Sequence, residues 1–250
     1  MRVAALYDIH GNLPALDAVL AEVDRAGVDR IVIGGDVVPG PLPVETIDRL
    51  RALGERAAFV SGNGDRWVVE AFDAGGTATE EENPARPWAT WTAKAIDRRD
   101  RDLLASFAGR VVLDIDGLGP TLFCHGSPRS DEECVTPETP EARVREFSAG
   151  VAERVIVTAH VHIQFDREVA GVRSVNAGSV GLPYEGMPGA YWALLGPEIE
   201  LRRTEYDVDD TVALYRASGQ PNVEQIVEMM LTPPEPREVI DHAEKHVFAG

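Results

Sequence analysis

The first sixty residues alternate short apolar runs with patterns typical of amphipathic helices. Residues 2–7, 30–33 and 57–60 are rich in β-branched or other apolar side chains, as buried strands are. Between the first two runs, apolar residues recur every three or four positions, and a second helical pattern covers about residues 44–53. Short strands that alternate with helices predict an α/β fold.

Each of these three runs ends in a loop that carries candidate metal ligands. Asp8 and His10 follow the first run, Asp36 follows the second, and Asn63 follows the third. Functional sites assemble at strand ends in α/β sheets. Side chains two residues apart point the same way from an extended chain, so D-x-H and H-x-H each present two ligands together. In chain order, the seven candidate ligands are Asp8, His10, Asp36, Asn63, His125, His160 and His162.

The chemistry of these ligands indicates a centre that attracts anions. Mixed carboxylate, imidazole and amide ligands suit manganese, iron, zinc, nickel or cobalt better than magnesium or calcium, which prefer oxygen alone. Two aspartates contribute −2 and two divalent ions +4, which leaves the centre at about +2. A hydroxide and a phosphate would satisfy such a charge, so redox-neutral hydrolysis of a phosphate ester is the expected chemistry.

The order of these motifs resembles that of the calcineurin-like metallophosphoesterases. The chain has D-x-H at Asp8, G-D at Asp36, G-N-x-D at Asn63, a histidine at His125, and H-x-H ending at His162. The segment 176–181 also resembles one found in small bacterial and archaeal phosphodiesterases of this superfamily. The resemblance implies two packed mixed β-sheets flanked by helices, which carry a centre of two metal ions.

The resemblance also assigns the ligands to two metals that share Asp36 as a bridge. Asp8, His10, Asp36 and His162 would hold one ion, and Asp36, Asn63, His125 and His160 the other. A hydroxide that bridges the ions would attack phosphorus, so Asp36 and His125 are expected to act in catalysis through it. We expect two divalent or trivalent ions, manganese or iron in preference to zinc, nickel or cobalt.

One position departs from the family pattern. The usual G-N-H-D is here Gly62-Asn63-Gly64-Asp65, so the histidine that would protonate the leaving group is absent. A positioned general acid typically contributes about 10² to 10⁴-fold to the rate. The sequence therefore predicts a preference for diesters or aryl phosphates, which have good leaving groups, and predicts that Gly64→His helps alkyl monoesters most.

Two further residues are candidates for supporting roles. Asp65 would cap a helix that starts near Trp67 or orient a metal ligand. Arg129 follows His125 closely and would either contact a phosphate or lie solvated on the surface.

The remaining segments complete one predicted domain over residues 1–250. Residues 66 to about 108 turn helical and polar, which predicts a helical insertion over the site or the sheet edge. The β-rich runs after it predict a second sheet made of hairpins, and about residues 208–250 predict C-terminal helices.

Composition limits the partners. The chain has 250 residues, 44% of them hydrophobic, so it can bury a full core. A formal charge of −18 argues against non-specific binding to nucleic acid or an anionic membrane, since both require a basic surface. Cys124 and Cys134 are too few for a disulfide framework, and no apolar stretch has membrane-spanning length, so we expect a cytoplasmic protein. The oligomeric state stays open.

The sequence predicts a dinuclear metal-dependent phosphoesterase that favours phosphodiesters and acts on a small phosphate ester. Two alternatives remain at this point: a phosphomonoesterase or protein phosphatase, and a metal-binding scaffold with little activity.

Overall fold

Ten strands form two five-stranded sheets in the part of the chain that the computed structural model describes, residues 1–76 and 86–246, without the side chains of Arg86 and His246. The strands are β1 (Val3–Leu6), β2 (Arg30–Ile33), β3 (Ala57–Phe59), β4 (Arg110–Ile115), β5 (Gly119–Cys124), β6 (Val155–Thr158), β7 (Phe165–Val169), β8 (Val172–Asn176), β9 (Ala190–Leu195) and β10 (Ile199–Thr204).

The first sheet has the order β10-β9-β1-β2-β3. β1, β2 and β3 are parallel, with Val3 opposite Arg30 and Ile31 opposite Ala57. The carboxyl ends of the three strands therefore meet at one edge of the sheet. This edge carries the loops with Asp8, Asp36 and Asn63.

The second sheet has the order β4-β5-β6-β8-β7. β4 and β5 form a hairpin, as do β7 and β8, while β6 is parallel to both of its neighbours. β9 and β10 form a hairpin as predicted, but the prediction that they belong to the second sheet was wrong, because they join the first sheet beside β1. All six residues of β9 are buried, so it requires neighbours on both edges and cover on both faces.

Helices connect and cover the sheets. The described helices are α1 (Leu13–Ala26), α2 (Pro43–Arg51), α3 (Asn63–Asp73), α4 (Arg86–Ala95), α5 (Arg98–Ala105), α6 (Glu141–Phe147), α7 (Val208–Ala217), α8 (Val223–Leu231) and α9 (Pro236–His246). The predicted insertion holds most of α3 and all of α4 and α5, but residues 77–85 lie outside the described part, as do residues 247–250 of the predicted C-terminal helices. No helix within the described ranges is long and apolar enough to span a membrane.

Helix α1 follows the loop after β1, and a cap residue defines each of its ends. The Asn12 side chain accepts a hydrogen bond from the Ala15 amide, which caps the helix, and Gly27 ends it in the left-handed conformation with φ of 63°. Its apolar face, which includes Leu16 and Val19, is buried against the first sheet. The helix thus fixes the end of the loop that holds Asp8 and His10.

The two sheets pack face to face. One apolar cluster joins Val3 and Val32 of the first sheet to Phe123 and Val175 of the second. The buried Tyr7 hydroxyl donates a hydrogen bond to the Val157 carbonyl oxygen across this interface, at 3.1 Å. With α1 and α2 on the outer face of the first sheet and α6 packed on the second, the structure confirms the predicted fold of two mixed sheets flanked by helices.

Candidate metal centre

The seven predicted ligands follow strands of both sheets. Asp8 and Asp36 follow β1 and β2, and Asn63 is the first residue of α3. His125 follows β5 directly, and His160 and His162 follow β6.

Carboxylate oxygens lie between imidazole nitrogens at this centre. Asp8 Oδ1 is 3.4 Å from His162 Nε2 and 3.7 Å from His125 Nε2. Asp36 Oδ2 is 3.6 Å from His125 Nε2 and 3.9 Å from His10 Nε2. Ligands bound about 2.1 Å from one metal at right angles lie about 3 Å apart, so these spacings suit metal coordination.

The closest contacts define two groups of three residues. Asp8, His10 and His162 form one group, and Asp8, Asp36 and His125 form the other, with ligand atoms within 4.8 Å of one another in each. Both carboxylates therefore lie near the middle of the centre. That Asp36 is the residue that bridges the two ions stays a prediction.

Backbone carbonyls set the orientation of three imidazoles. Nδ1 of His125 lies 3.0 Å from the Gly34 carbonyl oxygen, and Nδ1 of His10 lies 3.2 Å from that of Pro39. His162 Nδ1 lies 2.6 Å from the Leu182 carbonyl oxygen. A carbonyl oxygen only accepts hydrogen bonds, so each Nδ1 carries the proton, and the neutral ring directs the lone pair of Nε2 towards the centre.

Three candidate ligand atoms are buried without a hydrogen-bond partner among the described residues. They are Asp8 Oδ1, Asn63 Oδ1 and His125 Nε2. An unpaired buried polar atom costs about 1–3 kcal/mol, and more when it is charged. Metal ions held by these residues would satisfy all three atoms, so the residues fit the cofactor that the sequence predicts.

His160 is tied to the centre less directly. Its backbone N–H donates to Asp8 Oδ2 at 3.0 Å, and its ring centroid lies 5.2 Å from that of His125 in an edge arrangement. The side chain is half-buried and falls outside both three-residue groups.

Burial and the carboxylates move the pKa values of the imidazoles in opposite directions. Burial, assisted by the charge of His125, lowers the pKa of His160 to about 4. Burial also lowers the pKa of His10. In His125 and His162 burial acts in the same direction, but the neighbouring aspartates outweigh it and raise the pKa. At neutral pH His10 and His160 are therefore uncharged and able to bind metal.

Five of the seven predicted ligands have left-handed backbone conformations. The residues and their φ angles are Asp8 (50°), His10 (47°), Asp36 (49°), His160 (66°) and His162 (57°). Non-glycine residues rarely adopt such angles, and strain of this kind concentrates at functional sites. The surrounding hydrogen bonds hold the backbone where the side chains converge.

Asp65 has a larger role than the sequence indicated. Its Oδ1 accepts hydrogen bonds from the Val37 and Val38 amides at 3.0 and 3.2 Å, and its Oδ2 accepts one from the Gly62 amide at 3.1 Å. Helix α3 starts at Asn63 and not near Trp67, so Asp65 lies in its first turn. One buried carboxylate thereby joins the loop after Asp36 to the start of α3.

Gly64 lies where the same two segments come closest. Its amide donates to Asp36 Oδ1 at 2.7 Å. A Cβ atom here would lie 2.7 Å from Pro39 Cδ and 2.8 Å from the Val38 carbonyl oxygen, closer than real Cβ contacts allow. A histidine at this position would displace the loop after Asp36, so the gain expected from Gly64→His stays a prediction that the packing opposes.

Arg129 does not point freely at the centre. Its Nε and Nη2 bind the Glu133 carboxylate at 2.9 and 2.6 Å. The residue nevertheless lines a groove beside His125.

Residues 1–196 match the family model described as the calcineurin-like phosphoesterase superfamily domain. The chain therefore belongs to this family of metal-dependent phosphoesterases.

Three proteins with similar sequence or structure come from archaea and a bacterium. An uncharacterized protein of Methanocaldococcus jannaschii is 28% identical over 228 residues, which cover 82% of this chain and 88% of that protein. A metallophosphoesterase from Sphaerobacter thermophilus is 28% identical with a TM-score of 0.71, over 90% of this chain and 98% of that one. A hypothetical protein from Pyrococcus horikoshii OT3 has the same fold, with a TM-score of 0.78 at 20% identity over 94% of this chain and 99% of that one.

Proposed function

We propose that the protein hydrolyses phosphodiesters at a centre of two metal ions, manganese or iron in preference to others. The observation that carries the proposal is that three predicted ligand atoms, on Asp8, Asn63 and His125, are buried without a hydrogen-bond partner. Bound ions would supply an activated hydroxide and the positive charge that stabilises a pentacoordinate transition state.

The protein's own residues would position that chemistry. The carbonyl oxygens of Gly34, Pro39 and Leu182 hold three imidazoles in the tautomer that can bind metal. Asp65 and the Gly64 amide fix the loop that carries Asp36.

The proposed preference for diesters rests on Gly64, which occupies the position of the usual general acid. Gly64 offers no proton, and the packing of Pro39 against it leaves no room for a side chain there. Substrates with good leaving groups need no such proton. A small phosphodiester is therefore the proposed substrate, and the free thiols Cys124 and Cys134 agree with a proposed location in the reducing cytoplasm.

Hydrolysis of bis-p-nitrophenyl phosphate and p-nitrophenyl phosphate by metal-stripped protein, with and without added manganese, tests the proposal. We expect manganese-dependent cleavage that favours the diester. Preferential cleavage of the monoester would indicate a phosphomonoesterase. Binding of two ions without cleavage of either ester would indicate a scaffold and would overturn the proposal.

A further inference from the structure

A polar groove of about 480 Å³ lies beside His125, between the two loops that carry Asn63 and His125. Its walls include Ser61 and Arg66 from the first loop and Ser127 and Arg129 from the second. Pockets of about 300–1,000 Å³ hold small molecules. The groove is therefore large enough for one arm of a phosphodiester, that is, one of the two organic groups esterified to phosphorus.

Two of the arginines in this groove are neutralised by carboxylates. Arg66 Nε lies 2.8 Å from Asp131, and Arg66 Nη2 lies 2.6 Å from Glu132. Arg129 binds Glu133 through two nitrogen atoms. Neither guanidinium offers uncompensated charge to a ligand.

Arg110, which also lines the groove, is different. Its side chain is exposed and makes no hydrogen bond or ion pair with the described residues, in a chain that has 42 acidic and 24 basic residues. An arginine without a carboxylate partner in so acidic a protein is available to an anionic ligand.

The backbone places Arg110 close to the centre. Arg110 is the first residue of β4 and pairs with Cys124, the residue before His125. The preceding segment is fixed as well, because the Ser61 amide donates to the Ala108 carbonyl oxygen at 2.8 Å. The guanidinium therefore extends from a hydrogen-bonded strand at one side of the groove. His125, itself a predicted metal ligand, lines the same groove.

We propose that Arg110 binds a second phosphate group of the substrate, so that the favoured substrates are phosphodiesters with a terminal phosphate on the arm in this groove. A guanidinium matches phosphate with two parallel hydrogen bonds, and such charged bonds favour phosphate over neutral groups. The assignment rests on the proposed phosphodiesterase function and names its substrate class.

Two esters that differ only in the second phosphate test the proposal. Thymidine 5′-(p-nitrophenyl phosphate) and its 3′-phosphorylated form share the leaving group and the bond that is cleaved. We expect the manganese-loaded protein to prefer the 3′-phosphorylated ester, and Arg110→Gln to reduce this preference in kcat/KM about tenfold. Arg110→Lys keeps the charge without the planar fork and should retain part of the preference.

Arg25→Gln is the matched control. Arg25 is exposed in the last turn of α1, at the end of the helix away from the metal centre, so its loss makes the same charge change elsewhere. This variant should keep the wild-type preference. An equal loss in Arg25→Gln would assign the effect to net charge and overturn the proposal.

Binding provides a measurement that does not depend on turnover. Calorimetry on the manganese-loaded protein compares thymidine 3′,5′-bisphosphate with thymidine 5′-monophosphate, and Arg110→Gln should remove the advantage of the bisphosphate. If the advantage is unchanged in Arg110→Gln, Arg110 does not bind the second phosphate, even where diester hydrolysis stands. If the wild-type protein cleaves neither ester, the proposed function fails, and calorimetry still decides the role of Arg110.

Discussion

Asp36 makes contacts through both of its carboxylate oxygens. Oδ1 accepts a hydrogen bond from the Gly64 amide, and Oδ2 lies among the imidazole nitrogens of His10 and His125. We predict that Asp36→Ala abolishes hydrolysis. The variant should also lose the gain in stability that manganese gives, which is about 2.7 kcal/mol for wild-type protein at a hundred times the dissociation constant.

Thermal unfolding with and without manganese measures this loss. Asp209→Ala is the control, because Asp209 is an exposed aspartate in the first turn of α7. If Asp36→Ala keeps the wild-type rate and the wild-type response to manganese, Asp36 is not a ligand.

The packing around Gly64 yields a prediction about folding stability, beside the rate gain that the sequence predicts for Gly64→His. Because a Cβ atom would meet Pro39 and the Val38 carbonyl oxygen, both Gly64→Ala and Gly64→His should lower the free energy of unfolding by about 1–3 kcal/mol. Gly109→Ala is the control in urea unfolding, since a Cβ atom there meets nothing within 4 Å. A stable Gly64→His that cleaves alkyl monoesters faster would show that the loop yields.

Asp65 should act on metal affinity without contacting the metal. Burial and the charge of Asp36 act to raise the pKa of Asp65, while the backbone N–H groups of Gly62 and Val38 that donate to its carboxylate act to lower it. In the wild-type protein, backbone N–H groups donate to both carboxylate oxygens of Asp65. In Asp65→Asn the side-chain NH₂ group would face one of these N–H groups, so the loop after Asp36 should loosen. We expect manganese affinity to fall about 10- to 100-fold.

Manganese titration of Asp65→Asn, beside Asp97→Asn, measures this effect. Asp97 caps α5 on the surface, and asparagine caps a helix equally well. Unchanged affinity in Asp65→Asn would limit Asp65 to helix capping.

The supports of the ligands were harder to predict than the ligands. Asp8, His10 and Asp36 stand in short motifs that follow apolar runs, so sequence alone indicates them. The carbonyl oxygens of Gly34 and Leu182, which orient two of the imidazoles, belong to the backbone, and no residue type marks them.

At the scale of the elements, local patterns predicted β1, β2 and β3 but not all of their neighbours. Helices between these strands impose the parallel order, because each crossover returns the chain to the same edge. The place of β9 depends on pairing with a strand almost two hundred residues earlier, and hydrophobic periodicity carries no information about such partners.

The interface between the two sheets can be tested through Tyr7. We predict that Tyr7→Phe lowers the free energy of unfolding by about 1 kcal/mol, because the hydrogen bond to the Val157 carbonyl oxygen is lost inside the core. Tyr184→Phe removes a hydroxyl that makes no hydrogen bond within the described residues, and it should leave the urea midpoint unchanged. Equal effects of both substitutions would contradict the assigned role of the Tyr7 hydroxyl.

At the scale of the whole molecule, pH should control metal binding. The aspartates raise the pKa values of His125 and His162 above 6.5 in the metal-free protein. Protons on these two rings stabilise the metal-free fold at low pH, and this contribution disappears as the pH rises through the raised pKa values. Metal binds the deprotonated rings, so the metal affinity should rise as the pH rises.

The expected gain in manganese affinity is about tenfold per pH unit for each proton displaced. The shift in melting temperature that manganese causes should therefore grow from pH 5.5 to pH 7.5. A shift of equal size at both pH values would show that imidazole protonation does not compete with the metal.

The position of β9 also bears on how the protein is made. All seven predicted ligands precede residue 163, yet β1 is completed on one side only by residues 190–195. A ribosome that synthesises the chain from its amino terminus therefore releases the ligand-bearing loops well before their sheet can close. Until then β1 has an unpaired apolar edge, which is where another nascent chain would pair and where a chaperone would protect it.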